Sequence, residues 1–277
     1  MQDIRPEILE EVESCILRIS AFLESRGRRI HKYIKRSRKG RKGLSDLEQF
    51  GLPIPEDFRA LYHNYDGADA GSAITMWEWS VFLDFEWSRM AALVTGNKIM
   101  RLDKQNPLAG RLYAFKATRA RRLQLDPGAE QGGEVPLLMT LGTLSRNSYV
   151  AFDSTLAMLR SVCAVQEAGI LRYEEADTAP GSLRDSNEVY YDVKELWDVI
   201  RPFNPRADYW PAVIEGTLVW DEIEVELPRS GVLDLDPEVR RLIVGDPEAY
   251  REAAEEEMRE AGLSEEAIRR ARSVEPD

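Results

Sequence analysis

Apolar positions recur along the start of the chain with the pitch of a helix. Ile8, Val12, Cys15 or Ile16, Ile19 and Phe22 or Leu23 fall on one side of a segment running from about Pro6 to Ser25. Such a face must cover something, either the rest of the chain or a second copy of the same helix. The helical pattern resumes at Leu44, Leu47 and Phe50 and is stopped by Gly51, after which Pro53 and Pro55 hold the backbone extended. Pro55 suits a first helical position, where its missing N–H is not needed, and Glu56 and Asp57 set negative charge against the positive end of the helix dipole. Phe58, Leu61, Tyr62 and Tyr65 then fall at i, i+3, i+4 and i+7, one apolar face aimed at a core. Asp66 and Gly67 end it, glycine being the residue that enters the left-handed region without penalty.

The period then changes. Trp77, Trp79, Val81, Leu83, Phe85 and Trp87 alternate with mostly polar neighbours, which predicts a strand at the start of this stretch. From about Phe85 the pattern reads as a helix, with Met90, Leu93 and Val94 inward and Gly96 as its stop. Short strands are predicted at 99–102, 112–116, 119–125, 135–141, 148–153 and 159–166, separated by turn signals such as Asp126-Pro127-Gly128 and Gly132-Gly133. A late helix follows within 187–202, where Val193, Leu196, Trp197 and Ile200 share a face. Residues 222–227 alternate Glu222, Glu224 and Glu226 with Ile223, Val225 and Leu227, a half-exposed strand with a negative face. That face reads either as a docking edge or as protection of a sheet edge against unwanted pairing, the second being preferred. From Arg229 onward, Asp236-Pro237-Glu238, Asp246-Pro247-Glu248 and Ser264 each start a helix. The fold class is α+β: a central, antiparallel-rich sheet packed by helices, with helical extensions at both ends.

Residues 45–67, SDLEQFGLPIPEDFRALYHNYDG, resemble the start of the SUKH superfamily, which includes a yeast cell-wall-synthesis regulator and many bacterial toxin-immunity proteins. Gly51, Pro53, Pro55, Phe58, Leu61, Tyr62, Tyr65 and Gly67 carry the likeness. Ile54 between the prolines, and Asp66 where Asn is more usual, depart from the pattern without breaking the helix. The segment VPLLMTLGTLSRNSYVAFDS resembles the family's central strands and puts Asp153 at a recurrent position, expected to hold a turn or edge hydrogen bond. The resemblance implies an α+β domain over residues 44–228 that works by binding another protein, the partner varying across the family. It leaves outside it an amphipathic helix and basic linker over 1–43 and an acidic helical tail over 229–277.

Of the 277 residues, 43% are apolar, enough for an ordinary buried core. No apolar run reaches membrane-spanning length, and acids at Asp3, Glu7, Glu10, Glu11 and Glu13 stand where a secretory signal needs basic and apolar residues, so a cytoplasmic protein is expected. Two cysteines, Cys15 and Cys163, lie far apart without metal spacing and read as buried thiols. The net charge of −12 hides an asymmetry. Residues 26–42 hold ten basic side chains and no acid, which leaves −22 for the rest of the chain once those ten charges are taken out. An acidic body repels nucleic acid and membranes and steers a basic protein toward itself. The basic run has two readings: a nucleic-acid arm using Tyr33 and His31 beside its cations, or a linker in which Ile30, Tyr33 and Ile34 pack a basic helix against the acidic body.

Chemistry has few places to reside. His31 and His63 are the only histidines, and no nucleotide-binding, nucleophile-elbow or zinc motif occurs. Trp77, Trp79 and Trp87 beside Glu78, Asp84 and Glu86 offer either aromatic platforms for a sugar or, as in the family, core packing, the latter being preferred. The expectation is a non-enzymatic protein, with no cofactor or metal. It is read as an immunity protein that binds a basic, nuclease-type toxin and blocks its active site. The expected contacts are Trp77, Glu78, Trp79, Asp84, Glu86, Glu222, Glu224 and Glu226. The alternative is a regulatory scaffold that assembles with itself through the terminal helices or with a client. Nucleic-acid binding through 26–42 ranks last.

Overall fold

The computed structural model describes residues 4–49, 51, 53–68, 80–83, 85–102, 110–117, 121–141, 147–173 and 189–219. The chain divides into two compact units, Met1–Glu224 and Val225–Asp277, and every described residue belongs to the first. The expected 222–227 strand and the helical tail lie outside the described residues.

Six strands form one sheet in chain order: β1 (Ser80–Phe82), β2 (Phe85–Glu86), β3 (Leu112–Ala117), β4 (Arg121–Leu125), β5 (Leu137–Leu141) and β6 (Tyr149–Phe152). Each neighbouring pair is antiparallel, so the sheet is a meander. In register, Leu123 faces Met139, Leu125 faces Leu137, and Leu137 faces Phe152, and all five enter the core. The intervening positions Gln124, Leu138 and Thr140 lie on the opposite face and are buried as well. A second ribbon pairs β7 (Arg172–Tyr173) with β8 (Val189–Tyr190). The outer side of β6 is occupied by Asp208, whose side chain accepts from the Val150 N–H at 2.6 Å while its own N–H donates to the Val150 carbonyl at 3.0 Å.

The helices are α1 (Pro6–Ser25), α2 (Lys39–Glu48), α3 (Glu56–His63), α4 (Met90–Leu102), α5 (Thr155–Glu167), α6 (Val193–Ile200) and α7 (Tyr209–Glu215). The apolar face of α1 is taken up within its own domain: Val12, Cys15, Ile16, Ile19 and Leu23 are buried and the helix lies against α3 and α5. Burial of side chains this size stabilises by about 1.5–3 kcal/mol each. Arg160 adds a two-pronged bond to Glu11 at 2.6 and 2.8 Å, and Arg18 pairs with Glu167 across the same seam.

Two predicted strands are helical. Residues 159–166 belong to α5, which Ser154 caps by accepting from the Ala157 N–H at 3.1 Å. Nine of its thirteen residues are buried, so no polar stripe marks the helical period and a short apolar run reads equally as strand. Residues 99–102 are the last turn of α4, which runs through Gly96 instead of stopping there. That glycine lets the helix approach β3, since a Cβ on it would lie 3.1 Å from the Tyr113 ring. Asn97 then fastens the contact, donating to the Leu93 and Tyr113 carbonyls and accepting from the Tyr113 N–H. The late helix starts at Val193, where Asp192 caps it by accepting from the Lys194 and Glu195 N–H groups.

The basic run is folded on the core. Residues Arg29–Tyr33 form a 3-10 turn with Ile30 wholly buried, and Tyr33 and Ile34 pack against the core. The Ser37 N–H donates to the Asn64 carbonyl at 2.8 Å, and Arg36 pairs with Glu13. At Gly40 an added Cβ would collide with the Tyr65 and Tyr62 carbonyls, which places the start of α2 directly on the end of α3.

Candidate partner-binding region

Pro55, Phe58, Leu61, Tyr62, Tyr65 and Gly67 lie buried where α3 joins the rest of the domain, while Gly51 and Pro53 are exposed before it. Pro55 precedes α3 at φ −57° and ψ 147°, and its carbonyl receives the Arg59 N–H at 2.9 Å. Glu56 accepts from the Arg5 backbone N–H and from Arg5 Nε at 2.9 Å, tying α3 to the entrance of α1. Burial pushes its carboxyl up, but the Arg5 hydrogen bonds outweigh this and leave it below its ordinary value.

Asp57 does more than face its own helix dipole. One oxygen accepts from the Phe58 N–H at 2.8 Å, and the other reaches the Leu156 N–H in the first turn of α5 at 2.9 Å. The carboxylate thus satisfies an orphan donor of another helix. Burial raises its pKa against the pull of these bonds.

Phe58, Tyr62 and Tyr65 meet the sheet through a run of tilted and edge-on aromatic contacts. Phe58 lies 5.2 Å from Tyr62 and 6.0 Å from Phe115; Tyr62 and Tyr65 lie 6.0 and 5.6 Å from Trp87; Phe82 lies 5.5 Å from Trp87. The Tyr62 hydroxyl donates to the Ser88 carbonyl at 2.8 Å, and burial raises its pKa well above the usual value. Gly67, at φ +84°, closes the junction. A Cβ there would strike the Ser88 carbonyl oxygen and lie 2.6 Å from its carbon and 2.8 Å from the Trp87 oxygen. Asp66 accepts from the Met90 N–H at 3.1 Å, capping the first residue of α4.

A histidine closes the last turn of α3 at this junction. His63, the histidine nearest to it, takes a hydrogen bond from Arg41 on Nε2; because a guanidinium only donates, the neutral ring carries its proton on Nδ1. Burial, and then the Arg41 charge, hold its pKa below the ordinary value. Asp153 fills the turn role expected of it: it accepts from Arg206 N and Nε at 3.2 Å, while its own N–H donates to Asn204 at 3.1 Å. Among the described residues, no group of three or more His, Cys, Asp or Glu is placed to hold a metal ion, and no helix is long and apolar enough to cross a membrane.

Of the residues expected to contact a partner, Trp77, Glu78, Trp79, Asp84, Glu222, Glu224 and Glu226 lie outside the described residues. Glu86 is described: it is half-buried on β2, in register with Ser80 and Lys116. Trp87 is a core residue at the centre of the aromatic run. The folded basic run presents a cationic surface. Lys32, Lys35, Arg38, Lys39 and Lys42 are exposed on the folded basic run, and none is paired with an acid among the described residues. Two connections escape sequence reasoning. The reach of Asp57 to α5 looks, from spacing alone, like an ordinary first-turn acid, and the meeting of Cys15 with Cys163 joins residues that no short-range pattern relates.

No known protein-family model matches the chain, and no curated protein matches it either.

Proposed function

We propose that this chain is a binding protein of the SUKH kind that holds a protein toxin in the bacterial cytoplasm and blocks its active site without catalysing a reaction. One observation carries the reading: the polar groups of the signature helix are committed to joining elements. Glu56 goes to α1, Asp57 to α5 and Tyr62 to the backbone after β2. A signature used this way specifies a frame and leaves recognition to the exposed surface. The acidic bulk of the chain, −22 outside residues 26–42 when those ten basic charges are removed from −12, favours a basic partner by speeding its encounter. Glu86 and the acidic and aromatic residues around it, with Glu222, Glu224 and Glu226, remain the proposed contacts.

The test is co-purification of the tagged chain from its native cells at moderate salt, followed by co-expression. Recovery of one stoichiometric protein that is lethal alone and tolerated beside this chain is the expected result. Recovery of self-copies only, or of a client whose expression alone is harmless, overturns it in favour of a scaffold. The scaffold reading is weakened at one end, because the apolar face of α1 is already covered by α3 and α5.

A second reading has its own observation, the five exposed cations of the basic run, unpaired among the described residues. In it, these residues hold the phosphate backbone of a nucleic acid. The reading requires affinity that falls steeply with salt and is lost when Lys32, Lys35, Arg38, Lys39 and Lys42 are neutralised together.

A further inference from the structure

Cys15 on α1 and Cys163 on α5 are 148 residues apart in sequence and meet in the seam between the two helices. The Cys163 thiol donates to the Cys15 carbonyl at 3.7 Å, which brings the two cysteines together across the seam. Both sulfurs are free thiols, and the residues are 3% and 2% exposed. The seam is held from its partly exposed sides by the Arg160–Glu11 and Arg18–Glu167 pairs. Nothing in the proposed binding function uses these thiols.

We propose that Cys15 and Cys163 are a built redox pair, oxidised by a hydroperoxide to a disulfide that fastens α1 to α5. The two sulfurs are placed for different roles. Pairing with Cys163, and then the Arg18 and Arg160 charges, lower the pKa of Cys15 against the effect of burial. The same pairing, followed by burial, pushes the Cys163 thiol up.

In the first step Cys15 Sγ attacks one peroxide oxygen; the O–O bond breaks, a sulfenic acid forms, and the leaving hydroxide takes a proton to become water. In the second, Cys163 Sγ attacks the Cys15 sulfur; the S–S bond forms as the S–O bond breaks, and the departing hydroxyl takes the Cys163 proton as a second water. Two thiols and one hydrogen peroxide give one disulfide and two waters, with two electrons passing from sulfur to oxygen. Because both residues are covered, attack follows opening of the α1–α5 seam, and a thiol reductant reverses the bond. The resulting link closes a chain loop of 148 residues, which strongly restricts the unfolded state.

The experiment uses the full chain, reduced and then freed of reductant, exposed to hydrogen peroxide both folded and in concentrated urea. Folded protein is expected to lose both free thiols together, to yield one peptide linking Cys15 to Cys163 within a single chain, and to gain on the order of 10 °C in Tm, reversed by dithiothreitol. C163A, checked for folding by circular dichroism, is expected to stop at a sulfenic or sulfinic acid on Cys15. The proposal is overturned if the folded protein keeps both thiols while the urea-treated chain is oxidised. It is equally overturned if the products are separately over-oxidised cysteines or links between chains. None of these outcomes bears on toxin binding, so the two readings fail separately.

Discussion

Gly51 and Gly67 allow one substitution to be made twice in nearly the same backbone and in opposite surroundings. Both have positive φ, +71° and +84°, so alanine at either position carries the left-handed penalty of about 1–2 kcal/mol, offset in part by the reduced freedom of the unfolded chain. They differ in what the new methyl meets. At Gly51 nothing among the described residues lies within 4 Å. At Gly67 the methyl overlaps the Trp87–Ser88 backbone, where an ordinary contact begins at 3.4 Å and the Ser88 carbon would stand at 2.6 Å. That backbone is not free to retreat. It accepts from the Ala68 N–H at 2.8 Å and from the Tyr62 hydroxyl at 2.8 Å, bonds whose loss costs about 1 kcal/mol each. It also carries Trp87, packed among Tyr62, Tyr65 and Phe82. Gly51→Ala is therefore expected to cost about 1 kcal/mol and Gly67→Ala about 3–5 kcal/mol. Urea denaturation followed by circular dichroism measures both, the midpoint shifting while the slope stays constant. If the two variants fell within half a kcal/mol of each other, the idea that Gly67 serves close approach would be wrong, and its role would reduce to backbone conformation.

Three further predictions address other elements. Ile16→Ala is expected to cost about 2–5 kcal/mol and Leu17→Ala, at an exposed neighbour, about 0.5 or less by urea denaturation; equal costs would mean that α1 does not present its buried face to α3 and α5. Arg206→Ala removes the cation from the buried Asp153 carboxylate and should destabilise by about 3–5 kcal/mol, with Asp153→Asn in the same background recovering part of the loss. For His63, the lowered folded pKa means that the unfolded chain binds the proton more readily. Its contribution to stability is then present above the ordinary histidine value and lost as pH falls below it. The stability difference between wild type and His63→Gln should accordingly shrink as pH falls from about 7 to 5, and a flat difference would refute the lowered pKa that burial and Arg41 impose.

The signature helix is legible in the sequence because its determinants are local. A first-position proline, two acids and apolar residues at three- and four-residue spacing act within one or two turns, and α3 forms there. The strands at 112–116, 119–125, 135–141 and 148–153 are legible for the same reason, with turns marking their ends. Helix α5 is not, because burial on nearly every side erases the polar face by which a helix announces its period. Gly96 misleads because a glycine chosen for closeness to Tyr113 looks the same as one chosen to stop a helix. The basic run stays ambiguous in sequence because the deciding contacts, Gly40 on the Tyr65 carbonyl and Ser37 on Asn64, connect it to residues more than twenty positions away. As for the binding region, charge is legible and geometry is not: ten cations in residues 26–42 are countable, while which of them are covered depends on where Ile30 and Glu13 sit.

The Asp208 contact on β6 has a bearing on how crowded copies of this protein behave. A strand from a neighbouring molecule that sought to extend the meander at β6 would need the N–H and carbonyl of Val150, and both are already bonded. Replacing Asp208 with alanine would remove the side-chain acceptor and expose the Val150 donor. Concentrated protein would then acquire a nucleation point for intermolecular β-pairing, visible as a shortened lag before thioflavin-positive aggregation even where the melting temperature barely moves.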